Sequence, residues 1–273
     1  EPNIGIINVP DKRLEKLEEL VNPDKVVPAT VEIVDIAGLV KGASNGEGLG
    51  NKFLANIRET DAVLHVLRCF DDDNIVHVEG SVDPVRDKEI IDLELQLKDL
   101  ETVEKRVEKN NRLVKTGNKE AIKESSILKN IIDHLHSFNP VRSLEFSNDD
   151  KEFVNSLQLI TYKPVLYVCN VDESSAVKGN NHVDNLNASL KDENAEVMIL
   201  AVGTEADINE LDSYEDRQAF LLDVGLSEPG SSKLIKNTYA LLNLQTYFTA
   251  GVKEVRAWTI DKGMTAPKAA GVI

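Results

Sequence analysis

Two cysteines in 273 residues, Cys69 and Cys169, each at the end of an apolar run, supply neither a disulfide framework nor the spacing of a zinc site. No leader-like segment is visible, and no apolar run approaches membrane-spanning length. Basic residues are scarce too: 31 Lys and Arg against 47 Asp and Glu leave a formal net charge of −16. That balance disfavours non-specific nucleic-acid binding, although a local basic patch stays open. A reducing cytoplasm is the expected compartment. No Gly-Lys dipeptide occurs, so these residues hold no G-x-x-x-x-G-K-[ST] phosphate loop. What the chain has is size, since 30.2 kDa can bury a full core and is expected to form more than one domain.

The most informative stretch is Val31 to Phe70, VEIVDIAGLVKGASNGEGLGNKFLANIRETDAVLHVLRCF. It opens on a β-branched run containing Val31, Ile33 and Ile36 and so reads as a strand. The run ends in Asp35-Ile36-Ala37-Gly38, either an ordinary strand-to-loop turn or an Asp-x-x-Gly site for a hard cation and a phosphate. Gly42, Gly46, Gly48 and Gly50 then fall within nine residues, a segment that phosphate contacts could order. Residues 51–60 read as a helix with Phe53, Leu54 and Ile57 on one face, and 62–69 as a buried strand.

This stretch resembles switch II of the Obg-type nucleotide hydrolases and is most similar to the YchF subfamily, the Obg-like ATPases. The resemblance implies an α/β fold: a P-loop Ras-like G domain with a mainly parallel sheet, an inserted antiparallel helical hairpin, and the start of a C-terminal β-grasp TGS domain. The implied segments are 1–83 and 146–230 for the two parts of the G domain, 84–145 for the hairpin, and 231–273 for a connecting helix and partial TGS domain. It also implies that Asp35 holds Mg²⁺ through water and that the Gly38 N–H reaches the γ-phosphate. The family's phosphate loop and its strand would precede the point matching Glu1-Pro2-Asn3, so the sequence is expected to be a fragment, inactive by itself. The missing strand would lie between those at 31–35 and 62–69, leaving both with open edges.

In Ras-like enzymes a Gln shortly after Asp-x-x-Gly orients the attacking water. Leu39 takes that place here and cannot do so. The resemblance assigns the role to His77, which by itself reads as a half-buried loop histidine beside the acidic run Asp71 to Asp73. Residues 164–169 form a buried strand ending in Asn170-Val171-Asp172-Glu173, where GTPases carry Asn-Lys-x-Asp. With Val171 for Lys and Glu173 for Asp, this is similar to the altered base motif of the ATP-preferring YchF proteins. Asn170 would meet adenine's adjacent donor and acceptor. Ala201-Val202-Gly203-Thr204 would be the second base-contacting loop, touching the ring through backbone at Gly203.

Elsewhere, residues 3–9 read as a strand and 13–21 as a helix. Ile90, Leu93, Leu97, Leu100 and Val107 form an amphipathic helix, broken at Asn110, Asn111 and Gly117. A second follows with Leu128, Ile131 and Leu135 on one stripe, and the two read as an antiparallel pair. His134 and His136 point to different sides and make no metal pair. Phe153 to Leu159 is weakly helical, 221–230 a connector, 234–248 a helix, 255–260 a strand, and Trp258 a core residue. Three functions remain open: a Mg²⁺-dependent ATPase switch that binds GTP more weakly, a GTPase of the wider Obg type, or a ribosome-binding module with incidental hydrolysis. Family resemblance implies the ribosome as partner; no membrane and no sequence-specific DNA partner is expected.

Overall fold

The computed structural model describes residues 3–36, 49–191, 193 and 195–273, with the side chains of 49–53 excepted. Gly38, Leu39, Gly42, Gly46 and Gly48 lie outside these residues. The chain forms two compact units, one of Glu1–Asp35, Val168–Asn180 and Glu196–Ile273, the other of Ile36–Tyr167 and Asn181–Ala195.

In the first unit, β1 (Asn3–Asn8) runs antiparallel to β3 (Thr30–Asp35), with Asn3 opposite Asp35 and Asn8 opposite Thr30. Among the described residues this is a two-stranded sheet, so the second edge of β3 carries no partner. Helix α1 (Lys12–Val21) begins at Asp11, whose carboxylate accepts the Arg13 N–H, and ends at Asn22 in the left-handed region. A second sheet has the order β2, β8, β7 (Val26–Val27, Val255–Asp261 and Leu244–Ala250). There β2 is parallel and β7 antiparallel to β8. Val9, Leu14, Ile235, Tyr239, Val255 and Ala257 close the core beneath it. A fully buried aliphatic side chain of this kind contributes about 1.5–3 kcal/mol.

Several expectations fail in this unit. The helix expected over 234–248 is α9 (Gly230–Leu241), and residues 244–250 are strand β7. Asn243, at φ 53°, ends the helix, and the Thr-Tyr-Phe-Thr run pairs with β8. The connector at 221–230 begins inside α8 (Tyr214–Asp223), which Ser213 caps by accepting the Asp216 N–H. Trp258 is only half buried: its indole N–H donates to Thr249 Oγ1 at 3.0 Å, and the Arg256 guanidinium lies 4.7 Å from its ring. The chain closes with α10 (Ala266–Ala270), led in by Thr265 and Pro267.

The second unit holds α2 (Leu49–Glu59), β4 (Val63–Arg68), α3 (Pro84–Val114), α4 (Lys119–His136), α5 (Asn148–Ser156) and α6 (Asn181–Ser189). Helix α3 runs through Asn110 and Asn111 instead of breaking there. Asn110 is buried and crosses to α4, donating to Ala121 O at 2.7 Å and Ser125 Oγ at 3.0 Å. Val103, Leu128, Ile131 and Leu135 fill the seam between the helices. His134 fastens the turn beyond α4 through Ser143 Oγ at 2.7 Å, and no group of three or more metal-ligating side chains occurs among the described residues. A third sheet has the strand order β4, β5 (Val165–Asn170), β6 (Glu196–Leu200).

Candidate functional site

In the second unit the candidate site is the loop between β4 and α3. Arg68, the last residue of β4, donates from its guanidinium to the carbonyls of Phe70 at 3.1 Å, Asp72 at 3.1 Å and Ile75 at 2.9 Å. At the far side Asp83 caps α3 by accepting the Val85 and Arg86 N–H groups, and Pro84 sets the first turn. Arg86 reaches back to Ser81 O at 2.6 Å and Ser81 Oγ at 3.1 Å. Two arginines thus pin the loop at its ends. His77 sits between Val76 and Val78, which are 92% and 95% exposed, yet its own side chain is 16% exposed. The ring is turned inward: Nε2 lies 2.9 Å from Asp87 Oδ2, and Nδ1 accepts the Glu79 N–H at 3.2 Å.

The first unit holds the residues expected to meet nucleotide and metal. Asp35 ends β3 as an exposed carboxylate with no hydrogen bond or ion pair among the described residues. One exposed strand-end carboxylate, with no cluster of protein ligands among the described residues, suits Mg²⁺ held largely by water and phosphate oxygens and does not suit an all-protein cage. Asn170 ends β5, and its Oδ1 accepts the Val202 N–H at 3.1 Å. That amide opens α7 (Val202–Glu210), so the stretch expected as a loop at 201–204 is a helix start. Gly203 lies exposed in its first turn, and a Cβ built there meets nothing within 4 Å. Val171 is 3% exposed and its N–H donates to Leu200 O, so it is a packing residue more than an exposed apolar surface. Glu173 is exposed in a 3-10 turn that Asp172 caps.

Sequence reasoning missed Asp87 and Arg86, which hold His77 and its loop; only the first-turn position of Asp87 and its acidity were readable. It also missed a buried ion cluster in the second unit. Lys88 Nζ lies 2.7 Å from Asp92 and 3.0 Å from Glu193; Arg142 pairs with Glu193 and reaches Tyr167 Oη at 3.0 Å. A cavity of about 420 Å³ opens beside it, lined by Lys88, Glu89, Asp92, Gln96 and Glu193 among others. Burial pushes the Tyr167 hydroxyl well above the ordinary phenol range, and pushes the neighbouring His65 down to about 4.

The chain is 52% identical over 275 residues to "Ribosome-binding ATPase YchF" of Bacillus subtilis, covering all of this chain and 75% of that protein. It is 50% identical over 273 residues to the protein of the same name from Haemophilus ducreyi, with the same coverage. A solved structure titled "Structure of the Schizosaccharomyces pombe YchF GTPase" superposes with a TM-score of 0.87 at 37% identity, over 100% of this chain and 74% of that one. The family described as "50S ribosome-binding GTPase" matches residues 11–108. The YchF-GTPase_C family, described as "Protein of unknown function (DUF933)", matches residues 244–273.

Proposed function

The chain belongs to the YchF family, and from that premise we propose that it is part of a P-loop switch that binds and hydrolyses ATP and associates with the ribosome. The observation that carries the reading is likeness to proteins named ribosome-binding ATPases along the whole chain, not along one motif. The segments expected at 1–83 and 146–230 form the G domain, 84–145 the helical insertion, and 231–273 the connection into a TGS domain. These 273 residues contain no phosphate loop, so turnover belongs to a protein that includes one.

In the proposed reaction the water oxygen bonds to the γ-phosphorus as the bond to the β–γ bridging oxygen breaks. ADP leaves; one proton of the water passes to a phosphate oxygen and the other stays on the oxygen now bonded to phosphorus. His77 orients that water, the part Leu39 cannot play. Asp35 would hold Mg²⁺ through water, and the ion supplies charge neutralisation at the phosphate oxygens. Gly38, outside the described residues, would offer its N–H to the γ-phosphate.

For the base, the Asn170 amide nitrogen has no hydrogen bond among the described residues and can donate to a ring acceptor. The second lone pair of Oδ1 can accept adenine's exocyclic N–H. Glu173 carries its carboxylate one methylene further out than Asp and does not match the two ring donors of guanine. Gly203 lets backbone approach the ring; Val171 shapes the strand end by packing. A nucleotide titration of the phosphate-loop-containing protein tests this. ATP is expected to bind about tenfold more tightly than GTP, a difference of about 1.4 kcal/mol. Equal or tighter GTP binding selects the second reading, a GTPase, which the names of the fission-yeast structure and the matched GTPase family favour. Co-sedimentation with ribosomes tests the partner. No described helix is long and apolar enough to cross a membrane, and no membrane or DNA partner is proposed.

A further inference from the structure

His77 is on a loop, whereas Asp87 is fixed in the first turn of a 31-residue helix whose start is capped by Asp83. The two meet at 2.9 Å. A carboxylate can only accept, so this contact puts the proton on Nε2. The second contact agrees with it: the Glu79 N–H points at Nδ1, which must then carry the lone pair. Two independent hydrogen bonds therefore select one tautomer. Asp87 is itself held, since its other oxygen accepts from Arg86 Nε at 3.2 Å and Nη2 at 3.0 Å. Arg86 in turn grips Ser81, so one guanidinium fixes both the carboxylate and the loop carrying the ring.

We propose that Asp87 is the positioning residue for His77. It holds Nε2–H and thereby presents Nδ1 as the nitrogen that accepts a hydrogen bond from the attacking water. The Glu79 N–H marks the direction from which that water comes and is the contact it displaces. Of the two ring contacts this is the longer and the one without a formal charge, so it gives way first. A ring freed from Asp87 would exchange tautomers and rotamers, and the water would lose a fixed acceptor. This inference rests on the reading of His77 as the water-orienting residue.

The test uses the complete, phosphate-loop-containing protein and four variants: His77→Ala, Asp87→Asn, Asp87→Glu and His77→Ala/Asp87→Asn. Asp87 is 19% exposed, and replacing it leaves the helix's own hydrogen bonds in place. Loss of the carboxylate that orients a metal-bound histidine typically costs about 10–100-fold, and the same range is taken here for a histidine that orients water. Asp87→Asn is expected to cut turnover by roughly that factor, with ATP affinity changed less than about twofold. Asp87→Glu, which keeps the charge but displaces it, should retain more. Added to His77→Ala, Asp87→Asn should cost nothing further. With ¹⁵N-labelled histidine, the His77 signals, identified by their absence in His77→Ala, should show the Nε2–H tautomer and lose that preference in Asp87→Asn. Wild-type turnover in whichever Asp87 variant folds overturns the proposal. So does an unchanged tautomer in Asp87→Asn, or a further loss of turnover in the double variant. Full turnover in His77→Ala would instead remove the catalytic reading on which the proposal rests.

Discussion

Asp99 offers a direct test of what holds the second unit together. It lies on α3 with 0% of its surface exposed, and no described cation forms an ion pair with it. Its carboxylate accepts the Ile160 N–H at 2.8 Å on one oxygen, and the Thr161 N–H and hydroxyl, both at 2.7 Å, on the other. These three bonds dock the 3-10 turn Ile160–Tyr162 against the helix, beside the core of Leu54, Ile57, Leu95 and Ile160. Asp99→Ala strands two amide donors at residues 1% exposed. Each unsatisfied buried donor costs about 1–3 kcal/mol, a sum of about 2–6 kcal/mol. Part of that returns, because burial pushes the Asp99 carboxyl up, and its removal relieves the desolvation. The net expectation is about 3 kcal/mol, using the same range. Asp99→Asn keeps one acceptor oxygen but sets an NH₂ against an N–H, so it should fall between wild type and Asp99→Ala. Urea unfolding followed by far-UV circular dichroism reads the effect, since α3 and α4 dominate the helical signal of this unit. Trp258 lies in the other unit and would not report it. A loss below 1 kcal/mol in Asp99→Ala would refute the reasoning, and Asp99→Asn as stable as wild type would mean that the carboxyl is held as a neutral acid.

Three further outcomes can be checked by unfolding alone. His65 is held down at about 4 chiefly by burial, so the unfolded chain binds a proton that the folded one refuses between about pH 4 and 6.5. Stability should therefore fall by up to about 3 kcal/mol as pH drops through that window, and His65→Phe should flatten this part of the profile. Asn110→Ala removes the bonds to Ala121 O and Ser125 Oγ and should cost about 1–2 kcal/mol, measured as the shift of the urea midpoint. Glu205 is buried and accepts the Gly230 and Ser231 N–H groups at the head of α9; Glu205→Ala should cost about 0.5–2 kcal/mol, seen in the Trp258 fluorescence transition of the first unit.

Most of the strands, and the long hairpin, were legible because one strong signal decided each. β-branched runs give β1, β3, β4 and β5, and three- and four-residue apolar steps give α3 and α4. The failures fall where local and tertiary terms compete. Leu241 to Phe248 continues a helical stripe, and its true end depends on Asn243 accepting a left-handed conformation so that β7 can pair with β8. Asn110 reads as a helix breaker because its amide competes for backbone, yet in the folded chain that amide is used by α4. Neither outcome is set by the residues within one turn of it.

For the candidate site the division is of a different kind. Asp35, Asn170 and Glu173 could be found because they follow apolar strands, and a strand end is a position that sequence can count to. His77 could be found only through resemblance, as nothing periodic surrounds it. Its partner Asp87 is ten residues away across a loop whose path is fixed by the Arg68 and Arg86 bonds to backbone carbonyls. Such bonds carry no sequence signature on the accepting side, since every residue offers a carbonyl. The burial of Val171 has a related cause: its N–H pairs with Leu200 O and extends the strand's packing by one position, a contact that the motif alone does not show. Residues proposed to face a ligand were therefore readable as types at strand ends. Residues that orient those groups became readable only once the loop's hydrogen bonds had placed a carboxylate beside the ring.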